Sequence, residues 1–234
     1  MTHPLTIATG LPSNPTPDTV HSHPTASWSL ARLSGQLCEL SGHTGSAVLS
    51  LASRLVLDAQ FHNEPTSWIT STHQSFFPPD AAAMGIDLQA LVVVRLQDAT
   101  KRISTANRMS ASMPRRFVRH KRYSSRAVRA AEHLARSGGF GLVVLDLGDK
   151  CRLSMAVQAR LAGLAKAHDT VILCLTDKDE GEESIGSLVC WRAHAGKSRT
   201  EPDRFECRAE VSKDKRRGPG WSHTEVHRGP PGLY

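Results

Sequence analysis

The chain reads as an α/β protein with a mainly parallel sheet flanked by helices and antiparallel strands toward the C-terminus. Three observations predict this. Residues 91–94, 142–145 and 171–175 are continuous apolar runs, as strands buried on both faces require. Helical-period segments lie between such runs, so strand and helix alternate as they do around a parallel sheet. Beyond residue 183 the pattern changes, and residues 188–193 and 205–211 read as an antiparallel pair joined by the polar link 196–203.

The first unit organises the rest. Residues 37–40 form a strand, residues 41–47 a glycine loop, and Val48, Leu51, Ala52, Leu55 and Val56 recur at the spacing of one helix face. A strand feeding a glycine loop that opens a helix is the setting in which backbone N–H groups hold phosphate. The working motif is G-x-x-x-x-G-K-[ST]. Here Gly42 and Gly45 stand two residues too close, Ser46 replaces the lysine, and Ala47 replaces the hydroxyl that would hold magnesium. The setting is right and the chemistry is missing. A tight strand-to-helix turn accounts for the same glycines.

A second strand covers 67–70. After Pro78 and Pro79, Asp80 reads as the N-cap of a short helix that Gly85 ends, and the strand at 91–94 follows. Residues 101–129 differ in kind: ten Lys and Arg with no acid, broken at Pro114. Arg115, Arg116, Arg119, Lys121 and Arg122 are candidate contacts to DNA or an acidic partner, against the plainer alternative of a solvated face. A helix over 127–135 leads to the strand 142–146, which ends in Asp146, the form of a magnesium-holding strand end. A long helix over 153–168, with Met155, Val157, Ala159, Leu161, Ala162, Leu164 and Ala165 on its buried side, precedes the strand at 171–175. Residues 177–183 are an acidic loop. Lys213, Lys215, Arg216 and Arg217 form a basic turn before a last strand at 222–226 and are, like the first cluster, candidate contacts to DNA or an acidic partner. The Gly196-Lys197-Ser198 triplet is no phosphate motif, because no helix follows it.

Residues 1–27, rich in Pro, Thr, Ser and His, are expected to be a mobile tail; the core is expected over 28–226 and a short tail over 227–234. The net charge of +7 favours polyanions or acidic partners. No run suits a membrane helix and no apolar leader is evident, so a cytoplasmic chain, with nucleoid association as an extension, is expected. The five cysteines are scattered with no C-x-x-C pair, and the histidines lack ligand spacing; neither disulfides nor a metal site is predicted.

Four pieces in order resemble the RecA core, a P-loop NTPase-type fold: ELSGHTGSAVLSLASRLV, MGIDLQALVVVR, AAEHLARSGGFGLVVLD and RAEVSKDKRRGPG. Where RecA carries an activating Glu after its second strand, this chain has Thr70-Ser71-Thr72-His73-Gln74, with no acid to polarise water. A RecA-like chain without its ATPase resembles the ImuA family. The resemblance implies a non-catalytic accessory protein of SOS-induced translesion synthesis and mutagenesis, with no cofactor. ImuB, RecA and DNA are the implied partners, and an error-prone DnaE-type polymerase is reached indirectly. On this reading Gly42, Gly45, Ser46, Ala47 and Asp146 are an inactive remnant of a nucleotide site. The alternatives are a SulA-type division inhibitor and a weak ATPase or nucleotide sensor.

Overall fold

The computed structural model describes residues 28–71, 76–96, 115–149 and 151–229, and the side chains of these except 71, 115–124 and 149. The expected N-terminal tail therefore lies outside the described residues. Eight strands form one mixed sheet: β1 (Leu37–Ser41), β2 (Thr66–Ser71), β3 (Leu91–Leu96), β4 (Leu142–Asp149), β5 (Val171–Asp177), β6 (Trp191–Glu201), β7 (Arg204–Asp214) and β8 (Ser222–Arg228). Their order is β3-β2-β4-β5-β1-β6-β7-β8. Strands β1 to β6 pair in parallel, while β6-β7 and β7-β8 pair antiparallel. The α/β class and its antiparallel C-terminal third are thus as expected.

The apolar runs explain the parallel half. Every residue of β1 is buried, as are the first six of β5. Alternate residues of β1 serve two cores. Cys38 and Leu40 pack beneath α1 (Leu30–Leu33) and α2 (Val48–Phe61). Leu37 faces α4 (Arg115–Arg136) and α5 (Met155–Ala167). The expected face of α2 is buried through Leu51, Ala52, Leu55 and Val56, and each such Leu or Val contributes about 1.5–3 kcal/mol. Trp28 closes this core: its indole N–H donates to the Leu51 carbonyl (3.0 Å), and its ring lies 5.0 Å from that of Trp191.

Several boundaries differ from expectation. The polar link at 196–203 is mostly strand: β6 runs through Lys197 and Ser198 to Glu201, and the turn is only Pro202-Asp203. Cross-strand hydrogen bonding to β7 extends these residues although they bury little. Residues 188–190 are not strand. The third helix, α3 (Pro78–Ala83), starts before Asp80, because a proline in the first turn needs no N–H partner; Phe77 is its N-cap. Asp87 caps a 3₁₀ turn over Leu88–Ala90 by accepting from the Gln89 N–H. In α5 the buried positions are Gln158, Leu161 and Ala165, whereas Met155 is 58% exposed and Ala159 is exposed. Strand β8 runs two residues further than expected, through His227 and Arg228.

The largest revision concerns the basic stretch. Residues 101–114 of it lie outside the described residues, and residues 115–129 are the first two-thirds of α4. No Gly or Pro interrupts 115–136, and Ala127, Val128, Ala131 and Ala135 seat the helix on the sheet. Five residues after its end, β4 begins at the amino edge of the parallel strands. The other end of α4 is therefore directed toward the carboxyl edge. The basic turn at 213–217 closes β7, whose last residue pairs with Trp191 at the start of β6, so it lies at the amino edge. Two basic segments that look alike in sequence belong to opposite edges of the sheet.

Candidate functional site

The carboxyl ends of parallel strands are where open α/β sheets bind ligands. Here that edge carries the glycine loop after β1, Asp146 on β4 and the acidic loop after β5. Glycine at 42 is required by packing: a Cβ there would lie 2.5 Å from Ser46 Oγ, 2.9 Å from Val48 Cγ2 and 3.0 Å from the Ala195 carbonyl oxygen. Gly45 adopts φ +89°, a conformation suited to glycine.

Two of the loop's donors are turned inward. The Gly42 N–H donates to the Thr176 carbonyl (3.2 Å) and the Ser46 N–H to the His43 carbonyl (3.0 Å). Ala47 is the N-cap of α2 and has no side-chain cap. Two of the N–H groups that a phosphate cradle needs are thus already hydrogen-bonded within the chain, and Ser46 stands where the motif has its lysine. Asp146 lies two strands from β1, across β5, level with Leu175. One of its oxygens accepts from the Gly148 N–H (3.2 Å), where β4 bulges. Gly42, Gly45, Ser46 and Ala47 are brought together as one tight turn, and Asp146 stands apart from it.

Sequence reading missed the residue that organises this edge. Glu39, in the middle of β1, has a fully buried side chain. Its Oε1 accepts from Lys178 Nζ (3.0 Å) and Thr176 Oγ1 (3.2 Å). Its Oε2 accepts from Ser184 Oγ (2.6 Å) and the Ile185 N–H (3.0 Å), and pairs with Arg192 Nε at 3.5 Å. Lys178 also donates to the Glu183 carbonyl, and Arg192 to that of Glu182. One carboxylate thus staples the loop from 178 to 185 across β1 and β6. The signal was present in LCEL: a Glu inside an apolar strand must find partners. The rim of the stapled loop carries Asp179, Glu180, Glu182 and Glu183, the last paired with Arg152. Beside it a cleft of about 260 Å³ is lined by Ser41, Glu180, Arg192, His194, Arg208 and Glu210 among others.

At the amino edge the basic turn is built around Asp214. One carboxylate oxygen accepts from the N–H groups of Arg216 (2.9 Å) and Arg217 (3.0 Å); the other accepts from Trp221 Nε1 (3.2 Å) and faces Arg32 at 3.8 Å. Burial opposes ionisation of Asp214, but these donors and the Arg32 charge outweigh it and lower its pKa. Arg32 stacks 4.0 Å over the Trp221 ring. Arg216 donates to the Ser34 carbonyl (3.1 Å), and Lys213 and Lys215 both donate to that of Ser187. Arg115, Arg116, Arg119, Lys121 and Arg122 are helical in backbone, and their side chains lie outside the described ones.

Other chemistry is sparse. Burial pushes the Cys38 and Cys174 thiols well up, away from the reactive thiolate. Among the described residues no three His, Cys, Asp or Glu could hold a metal ion, and no helix is long and apolar enough to cross a membrane. On β8, Glu225 is flanked by His227 Nε2 (2.9 Å), His223 Nε2 (3.6 Å) and Arg54 Nε (3.6 Å) of α2. Burial raises the Glu225 pKa, yet hydrogen bonds and charge from the two imidazoles prevail and bring it down to about 2. A carboxylate whose folded pKa lies below its unfolded value stabilises the fold above the unfolded pKa and ceases to as pH falls through the folded one. The contribution, at most about 3 kcal/mol, is therefore lost between about pH 4.5 and 2. Acid unfolding of Glu225→Gln, followed by circular dichroism, is expected to lack that step.

Compared with protein-family models and with curated proteins, the chain matches none of them.

Proposed function

We propose that this chain is a non-catalytic, RecA-like accessory protein of damage-induced mutagenesis, of the ImuA kind. It acts by docking to ImuB and RecA, with DNA as a further contact and a DnaE-type polymerase engaged indirectly. The order of pieces supports the reading: a glycine turn between a central strand and its helix, a strand carrying Asp146 with one strand between them, which runs on to Asp149 instead of ending at Asp146, and a basic turn between late antiparallel strands. The observation that carries it is the inward-turned glycine loop, with Gly42 and Ser46 N–H groups bonded to Thr176 and His43. A scaffold suited to a nucleotide offers no seat for one, which leaves its surfaces as the working parts.

Two experiments test this. Titration with ATP and magnesium is expected to show no tight binding, and restoring side chains alone, as Ser46→Lys with Ala47→Thr, is expected not to create it. Tight binding by the wild type would revive the nucleotide-sensor alternative. Co-precipitation of the purified chain with ImuB and with RecA, with and without single-stranded DNA, is expected to capture both. Failure to capture either, joined to a block on polymerisation of the tubulin-like division protein, would favour the SulA-type reading instead.

A further inference from the structure

The basic turn, a candidate DNA contact by its sequence, holds a geometry that the sequence does not carry. Lys213 Nζ and Lys215 Nζ each lie 3.1 Å from the same acceptor, the Ser187 carbonyl oxygen. The two ammonium groups are therefore no more than about 6 Å apart, each with two N–H donors to spare. Among the described residues neither has a carboxylate within ion-pair distance. The one acid of the turn, Asp214, is buried and already engaged by Arg32, Trp221 and two backbone N–H groups. We propose that Lys213 and Lys215 form a seat for one phosphate of a nucleic-acid backbone, each ammonium donating to one of its non-bridging oxygens.

The seat is held in place before any ligand arrives. Asp214 fixes the backbone of residues 216 and 217, Arg216 is tied to Ser34, and the Gly218 N–H donates back to the Asp214 carbonyl (2.9 Å). Little ordering is left to oppose binding. Burial first, and the Lys215 charge second, lower the Lys213 pKa, so an anion between the two would relieve their repulsion. Nucleic acid fits better than an acidic protein segment. A protein interface needs an apolar or aromatic anchor at its centre, and the one aromatic side chain here, Trp221, is already packed between Arg32 and Trp191. Arg217, exposed at the tip, is placed to meet a neighbouring phosphate.

The inference rests on the accessory-protein reading only in taking the basic turn as a contact surface. Fluorescence anisotropy with a labelled oligonucleotide, single-stranded and duplex in separate arms, tests it. Wild-type protein is expected to bind at least one form, with affinity falling steeply as salt rises. Lys213→Gln with Lys215→Gln is expected to weaken binding about tenfold or more and to make the log–log salt slope shallower by about one, as loss of a single phosphate contact requires. Each single change is expected to give most of that loss. Unchanged affinity and slope, or an additive loss of about two in slope, overturns the shared seat. Binding of a polyglutamate peptide with none of either oligonucleotide also overturns it. An unshifted thermal midpoint shows that the variant is folded; otherwise the exposed Lys215→Gln alone carries the test. Capture of ImuB is measured in parallel, and its absence counts against the wider reading and not against the seat.

Discussion

Replacing Glu39 by alanine will lower the unfolding free energy by about 3–5 kcal/mol, the penalty for leaving a buried charge without its partner. The expectation follows from the surroundings. The side chain of Lys178 is 4% exposed and that of Arg192 12%, and both face this one carboxylate. Removing it also strips acceptors from Thr176, Ser184 and the Ile185 N–H. For a chain of this size the thermal midpoint should fall by about 6–20 °C. Hydrogen exchange should quicken first in residues 178–185, the segment that Glu39 staples. Pairing the change with Lys178→Met should recover part of the loss, because burying neither charge costs less than burying one. If Glu39→Ala unfolds at the wild-type denaturant midpoint, the staple is not what holds this loop.

Trp191→Ala should cost a similar amount, about 3–5 kcal/mol, through loss of packing instead of charge. Its ring is 1% exposed and lies between Trp28 at 5.0 Å and Trp221 at 6.2 Å. It is the joint at which the parallel half meets the antiparallel half, since β6 pairs with β1 on one side and β7 on the other. The cavity would also loosen Trp221, and with it the Arg32 and Asp214 contacts that shape the basic turn. Urea titration with intrinsic fluorescence measures the effect. Phe61→Ala, at a side chain 71% exposed, is the control and should stay within about 0.5 kcal/mol of wild type.

These two positions show what can be read from a chain before it is folded. The apolar runs at 142–145 and 171–175 named their strands because a strand buried on both faces leaves no choice of residue type. Trp191 falls within the strand expected over 188–193, but not as the residue that opens it: the strand's later residues are polar, and only hydrogen bonding to β7 keeps them extended. Asp80 and Met155 were misplaced for related reasons. A cap position depends on where the preceding prolines let the helix begin, and a helix face depends on which neighbour covers it.

The sequence by itself determined the class of the fold and the replacement, at positions 46 and 47 of the glycine loop, of the motif's lysine and magnesium-holding hydroxyl, because both depend on residue type and short spacing. Tertiary structure alone decided where charge resides. It turned the Gly42 and Ser46 N–H groups inward, gathered five partners on Glu39 from residues up to 153 positions away, and sent two similar basic segments to opposite edges of one sheet. The physical reason is that electrostatic and hydrogen-bond partners are chosen by distance in space, which strand order fixes and local spacing does not carry.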